Sequence, residues 1–176
     1  TPPAMMGHQH AFGDAAMVIQ WHVFAMFAPS FFTGHLIHRF GVRPVMATGA
    51  LAMLGAVAVN ISGTGVAYFA AGLVLLGLGW NFLFVGGTTL VTELHDAAEK
   101  AKVQAFNDVL VFGTVAATAL LSGVVYDALG WTAVNLVVVV PLLAVLGALA
   151  LVPRAGREDA AETGQGSPGA ESPAGS

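Results

Sequence analysis

The polar residues of this chain fall into two spaced rows. Asn81, Thr88 and Thr92 stand seven and four residues apart, and Gln104, Asn107, Val111, Thr114, Thr118 and Ser122 follow one another at steps of three and four. Both spacings place the groups on one face of a helix. Each row lies inside or beside a long apolar run, where an unpaired polar group is costly in hydrocarbon, so these faces should point at protein or water. The chemistry such faces supply is reversible hydrogen bonding, and Trp80, beside Asn81, adds an aromatic surface. Gln20 and His22 lie one to two turns inside another apolar run. An imidazole pKa of about 6.5 would let His22 carry a proton. Asp108 is the one carboxylate near a helix interior besides the flanking Glu93, and it lies a turn or two from a span boundary. An ionisable group in a membrane is a functional candidate by default, and a water-exposed helix start is the competing account. The cavity candidates are therefore Gln20, His22, Trp80, Asn81, Thr88, Asn107, Asp108 and Thr114. For single Thr or Ser residues the plainer alternative is a bond back to their own helix or across a helix contact; for His22 it is hydrogen-bonded packing.

Other chemistries find less support. The chain has six His and no Cys; His8 and His10 are one residue apart, and His35 and His38 share a helical face at i, i+3. A closed metal site needs three or four converging ligands, and no HExxH pattern is present. No metal or cofactor is expected; a membrane-embedded metal-handling protein or enzyme using these histidines is the alternative reading. No phosphate-binding glycine loop, Ser-His-Asp ordering or basic-aromatic surface occurs, so neither an enzyme nor a nucleic-acid partner is indicated.

The elements that must position these residues are membrane helices. Of 176 residues, 56% are hydrophobic and only 9% charged, with a mean hydropathy of +0.78. A soluble domain carries about a quarter charged residues. Five apolar runs, at about 15–37, 44–61, 66–91, 103–126 and 132–152, are each read as a crossing of a core ~30 Å thick, which takes roughly 20 residues. Pro29 interrupts the first; membrane helices tolerate this where neighbours satisfy the freed backbone groups. Residues 1–13 read as the end of a truncated helix and an outer loop. Residues 153–176, rich in Gly, Ser, Pro, Glu and Ala, read as a disordered tail. The chain opens on Thr1 and its first Lys/Arg is Arg39, so a secretory signal peptide is not supported and a fragment is expected. Five short-looped crossings alternate sides, which makes charge placement a test. Arg39 and Arg43 follow the first span, Lys100 and Lys102 the third, Arg154 and Arg157 the fifth. All six fall on one side, which the positive-inside rule makes cytoplasmic. Loops 38–43 and 92–102 and the tail are then cytoplasmic, in a multi-pass protein of the cell inner or plasma membrane.

The turn between the first two spans carries a resemblance. Gly34, Arg39, Gly41 and Arg43 match the loop signature of the major facilitator superfamily: Gly, three residues, Asp, Arg or Lys, one residue, Gly, then basic residues. His38 stands in the acid position and Val42 in one basic position, departures that suit the more degenerate second copy of the motif. The chain thus resembles the C-terminal half of such a transporter over about residues 1–152. The resemblance implies an all-α polytopic bundle, with residues 1–12 as the end of helix seven and the five spans as helices eight to twelve. It implies that helices seven, eight, ten and eleven line the substrate path while nine and twelve are peripheral. The polar first, third and fourth spans and the apolar second and fifth fit that division. The expected function is secondary active transport of a small solute by alternating access, ion- or proton-coupled, with the N-terminal half and the bilayer as partners. Little charge lies within the spans, which points away from a strongly ionic solute on this half.

Overall fold

A computed structural model of the chain describes residues 2–93 and 99–151. The tail at 153–176 and the centre of the 92–102 segment lie outside the described residues. Every described element is a helix: α1 Pro2–Gly7, α2 Phe12–Phe27, α3 Ser30–Phe40, α4 Val42–Ser62, α5 Val66–Glu93, α6 Lys100–Val137 and α7 Val139–Leu151.

Local chemistry explains the breaks. Pro29 has no N–H and its ring obstructs the preceding turn, so the stretch expected as one span at 15–37 divides into α2 and α3, bent by 40°. The Pro29 carbonyl is used again at once, accepting from the backbone N–H groups of Phe32 and Thr33, both at 2.8 Å. At the basic turn, Gly41 takes φ 87° and ψ 158°, and its N–H donates to Ile37 O at 2.8 Å. That conformation belongs to glycine. It closes α3 and lets α4 start one residue later, so the turn is much tighter than its ten-residue motif suggests.

Helix α5 is the centre of the bundle, with α4 on one side and α2 on another. The α4–α5 seam is a backbone contact: a Cβ on Gly79 would lie 2.6 Å from Gly49 O, and one on Gly49 would lie 3.0 Å from Gly79 O. Small residues permit this approach, which in lipid supplies the dispersion energy that holds helices together. Contacts advance together along α2 and α5, from His22 with Leu73 to Met26 with Asn81, so these two run parallel. Asn60 near the end of α4 meets Gly72 near the start of α5, so that pair is antiparallel.

Among the described residues, three helices, Val42–Ser62, Val66–Thr92 and Lys100–Leu151, are long and apolar enough to cross a membrane, and the bent α2–α3 pair, taken as one span, makes a fourth. The last of these holds 52 residues, about 78 Å as a straight helix against a core of ~30 Å. It is not straight. Gly130 breaks it with φ 80° and ψ −178°. Trp131 and Asn135 then bond to Asn60, and α7 packs on α4. Since α4 ends at Ser62, the residues beyond Asn135 reach it only by running back alongside it. The chain corner at 126–131 therefore meets the 60–65 turn and His8 at one end of the bundle. A core of Ala4, Met5, Ala15, Val18, Phe69 and Leu73, flanked by Tyr126 and Trp131, seals that end. The stretch of α6 between Phe112 and Val124, by contrast, is exposed along its whole length.

Candidate functional site

The sequence candidates separate into two groups. Asn81 and His22 belong to the seam between α5 and the bent α2–α3 pair. Asn81, 3% exposed, donates through Nδ2 to Met26 O at 2.7 Å and to Ser30 Oγ at 2.6 Å. Its Oδ1 accepts from Thr33 Oγ1 at 2.5 Å. Thus α5 reaches across the Pro29 break and ties both sides of it. His22, half-buried, places Nδ1 2.7 Å from Leu73 O, and because a carbonyl only accepts, Nδ1 carries the proton. One turn away, Gly77 admits the α2 backbone: a Cβ there would lie 2.7 Å from His22 O. Gln20 is on the same helix, exposed.

Trp80, Thr88, Asn107, Asp108 and Thr114 belong to α5 and α6. Trp80 stacks on Phe84 at 5.9 Å between centroids and 10° between planes, and Phe84 meets Phe112 at 6.0 Å. Trp80, Leu110, Val111, Thr114 and Val115 line a crevice of about 320 Å³. Near the start of α6, Gln104 Nε2 donates to Asp108 Oδ1 at 2.7 Å. Gln104 Oε1 and, on α5, Thr88 Oγ1 are buried without hydrogen-bond partners. Asn107 is half-buried and Thr114 exposed.

Several residues that matter were not singled out from sequence. Asn60 Nδ2 donates to Asn135 Oδ1 at 3.0 Å, Asn135 Nδ2 to Trp131 O at 2.9 Å, and Trp131 Nε1 to Asn60 O at 2.9 Å. This closed ring latches the chain after Gly130 onto the end of α4. Asn60 Oδ1 lies against Gly72, where a Cβ would run into it, so its neighbour is a Cα–H group. The signal for the latch was a pair of amides at the ends of otherwise apolar runs. Ser30 and Thr33 carried no signal beyond being polar.

The histidines do not converge. His8 and His10 both meet the Phe69 ring, and His10 Nε2 lies 2.7 Å from Thr64 O, whereas His35 and His38 are exposed on α3. Among the described residues no three His, Asp or Glu gather where an ion would sit. Of the loop motif, Gly34, His38 and Arg39 are exposed, with the Arg39 guanidinium 5.4 Å from the Phe40 ring centroid. Gly41 forms the turn described above, and Arg43 is half-buried.

The sequence was compared with known proteins. The Major Facilitator Superfamily model matches residues 1–174. The chain is 45% identical over 152 residues to the riboflavin transporter RfnT of Brucella anthropi, covering 86% of this chain and 37% of that protein. It is 37% identical over 140 residues to the uncharacterized MFS-type transporter YdeG of Bacillus subtilis, covering 78% and 32%, and 38% identical over 128 residues to YddS of the same organism, covering 71% and 29%. It therefore spans about a third of the length of these relatives. No solved structure matches. A multi-pass helical bundle, polar rows within apolar helices and a family match along nearly the whole chain agree: this protein belongs to the Major Facilitator Superfamily of membrane transporters, not to an enzyme family.

Proposed function

We propose that this chain is the C-terminal half of a secondary transporter that moves a small, uncharged solute of the riboflavin type by alternating access. The observation that carries this reading is the uncovered face of α6. Its row of Asn107, Thr114, Thr118 and Ser122 stays half-buried or exposed in an apolar helix. In a bilayer such a row needs a protein or water partner, and an N-terminal half facing it across a solvated path supplies both. The solute class is taken from the relative that is 45% identical over 86% of the chain. In this reading the chain crosses the cell inner membrane five times: along α2–α3, α4, α5, α6 to Gly130, and Trp131 to the end of α7. In the same reading loops 38–43 and 92–102 and the tail are cytoplasmic, a side supported by the six Lys/Arg under the positive-inside rule. An ion or proton gradient drives the cycle.

The test is uptake of labelled riboflavin by a riboflavin-auxotrophic bacterium lacking its own importer and expressing the full-length transporter. Uptake that collapses with a protonophore or on removal of sodium supports the reading. A membrane-located transporter that moves no riboflavin in either direction overturns the solute assignment.

A further inference from the structure

The end of the bundle where α4 stops and α6 turns holds a larger cavity than the α5–α6 crevice. We propose that this cavity, between His8, the 60–65 turn and the corner at 126–132, binds a quaternary ammonium group. Asp127 is its counter-charge and Tyr126 and Trp131 are its aromatic walls. The inference goes beyond the transporter reading and does not depend on which solute is moved. Three observations carry it.

The first is the enclosure. The cavity measures about 550 Å³, within the roughly 300–1,000 Å³ of small-molecule sites. Its walls come from helix ends and turns that the latch at Gly130 holds together. Trp131 is fixed there, since Nε1 donates to Asn60 O at 2.9 Å and the ring packs on Phe69 at 5.4 Å between centroids. With that N–H spent, Trp131 offers the cavity ring surface alone. Indole and phenol rings attract an alkylammonium through their electron-rich faces.

The second is the sign of the field. Asp127 lines the cavity and makes no ion pair or hydrogen bond among the described residues. Helix α4 ends at Ser62 and the first leg of α6 ends before Gly130. Two helix C-termini, each worth about half a negative charge, therefore meet here. The leg that begins at Trp131 offsets one of them, and Asp127 adds a full charge. Among the described residues no Lys or Arg lines the cavity. Arg43 stands at the far end of α4, about 28 Å away along the helix, and Lys102 at the far start of α6. Salt screens charges at such distances.

The third is what the cavity lacks. A metal ion needs several converging ligands, and among the described residues no three His, Asp or Glu gather. A primary ammonium needs acceptors for its three N–H groups. Two carbonyls here are already engaged: Asn60 O accepts from Trp131, and Thr64 O lies 2.7 Å from His10 Nε2. A quaternary ammonium has no N–H to satisfy and needs only a counter-charge and aromatic walls. Free choline-like solutes and the choline headgroup of a lipid share this chemistry.

The test is calorimetric titration of choline into the purified full-length transporter in lipid-free detergent at pH 8, beside its neutral carbon isostere dimethylbutanol. Choline should bind about tenfold or more tightly than the alcohol. Asp127→Asn, at an exposed position, should weaken choline about threefold to fivefold. His8→Lys, also exposed, adds a fixed positive charge with Asp127 intact and should weaken choline at least as much. Both variants should unfold at the wild-type temperature, which separates lost binding from lost fold. Repeating the titration in nanodiscs distinguishes the two sources. Phosphatidylcholine added to phosphatidylglycerol discs abolishes choline binding if a lipid headgroup fills the site, and leaves it unchanged if a free solute does; either result supports the site. Equal affinity for choline and the alcohol, wild-type choline affinity in both variants, or no choline binding by the wild type overturns it. None of these outcomes touches the transport reading, which uptake measures separately.

Discussion

Asn81 ties α5 to both halves of the bent α2–α3 pair, and its removal should be measurable as a coupling and not only as a loss. It makes three hydrogen bonds, to Met26 O, Ser30 Oγ and Thr33 Oγ1, and is 3% exposed. Side-chain bonds between membrane helices average roughly 0.6 kcal/mol, because the unfolded helices find other partners. Three of them give about 2 kcal/mol, and Asn81→Leu keeps the volume while removing all three. Thr33→Val removes one and also the Thr33 bond to Pro29 O. A double-mutant cycle on the full-length transporter, read by denaturant-induced unfolding, should give Asn81→Leu a cost of about 2 kcal/mol and a Thr33–Asn81 coupling of about 0.6–1.7 kcal/mol. If the two substitutions are additive to within about 0.3 kcal/mol, the oxygens do not share a bond and the clamp across the Pro29 break is refuted.

Four further outcomes follow from the same geometry. Gly79→Ala should cost about 1–3 kcal/mol of stability, because its Cβ meets the Gly49 carbonyl, while Gly87→Ala, with nothing within 4 Å, should be tolerated; comparing their unfolding midpoints checks this. Gly130→Ala should cost about 1–3 kcal/mol through its φ of 80°, even though space around it is open. His22→Asn, which keeps a donor near the Leu73 carbonyl, should unfold close to wild type, whereas His22→Phe should be less stable by about 1 kcal/mol in the same assay. Asn60→Leu with Asn135→Leu should destabilise by less than the sum of the single changes, because each single change strands the other amide.

The turns at Gly41 and Gly130 were legible from sequence, because a glycine at positive φ decides each of them. The division at Pro29 was not: the stretch 15–37 reads as one span that tolerates the proline, whereas the missing N–H and the ring split it into α2 and α3. The polar rows were legible as faces, but not by what each face meets. Asn81 and Thr88 stand seven residues apart on one helix, yet Asn81 is bonded to Met26, Ser30 and Thr33 while Thr88 Oγ1 is buried without a hydrogen-bond partner. Periodicity says that two groups point the same way; it cannot say that a bent helix lies over one and not the other. His22 shows the same limit, since its partner is a backbone carbonyl 51 residues away and no side chain announces it. Of the α5 glycines, Gly72, Gly79 and Gly86 face α4, Gly77 faces α2 and Gly87 meets nothing within 4 Å, a division that depends on the three-dimensional arrangement and not on spacing alone.

The Asn60–Asn135–Trp131 ring also bears on how the chain is assembled in the membrane. Synthesis proceeds from the N-terminus, so α4 and α5 can pair through Gly49 and Gly79 before residues 131–135 have left the ribosome. Until then the Asn60 amide, at the end of an apolar helix, has no Asn135 to bond and its carbonyl no indole. Arrival of the last segment supplies both at once and in one register. The ring thus marks completion of the bundle, and a chain truncated before Trp131 would leave an open polar end that membrane quality control can recognise.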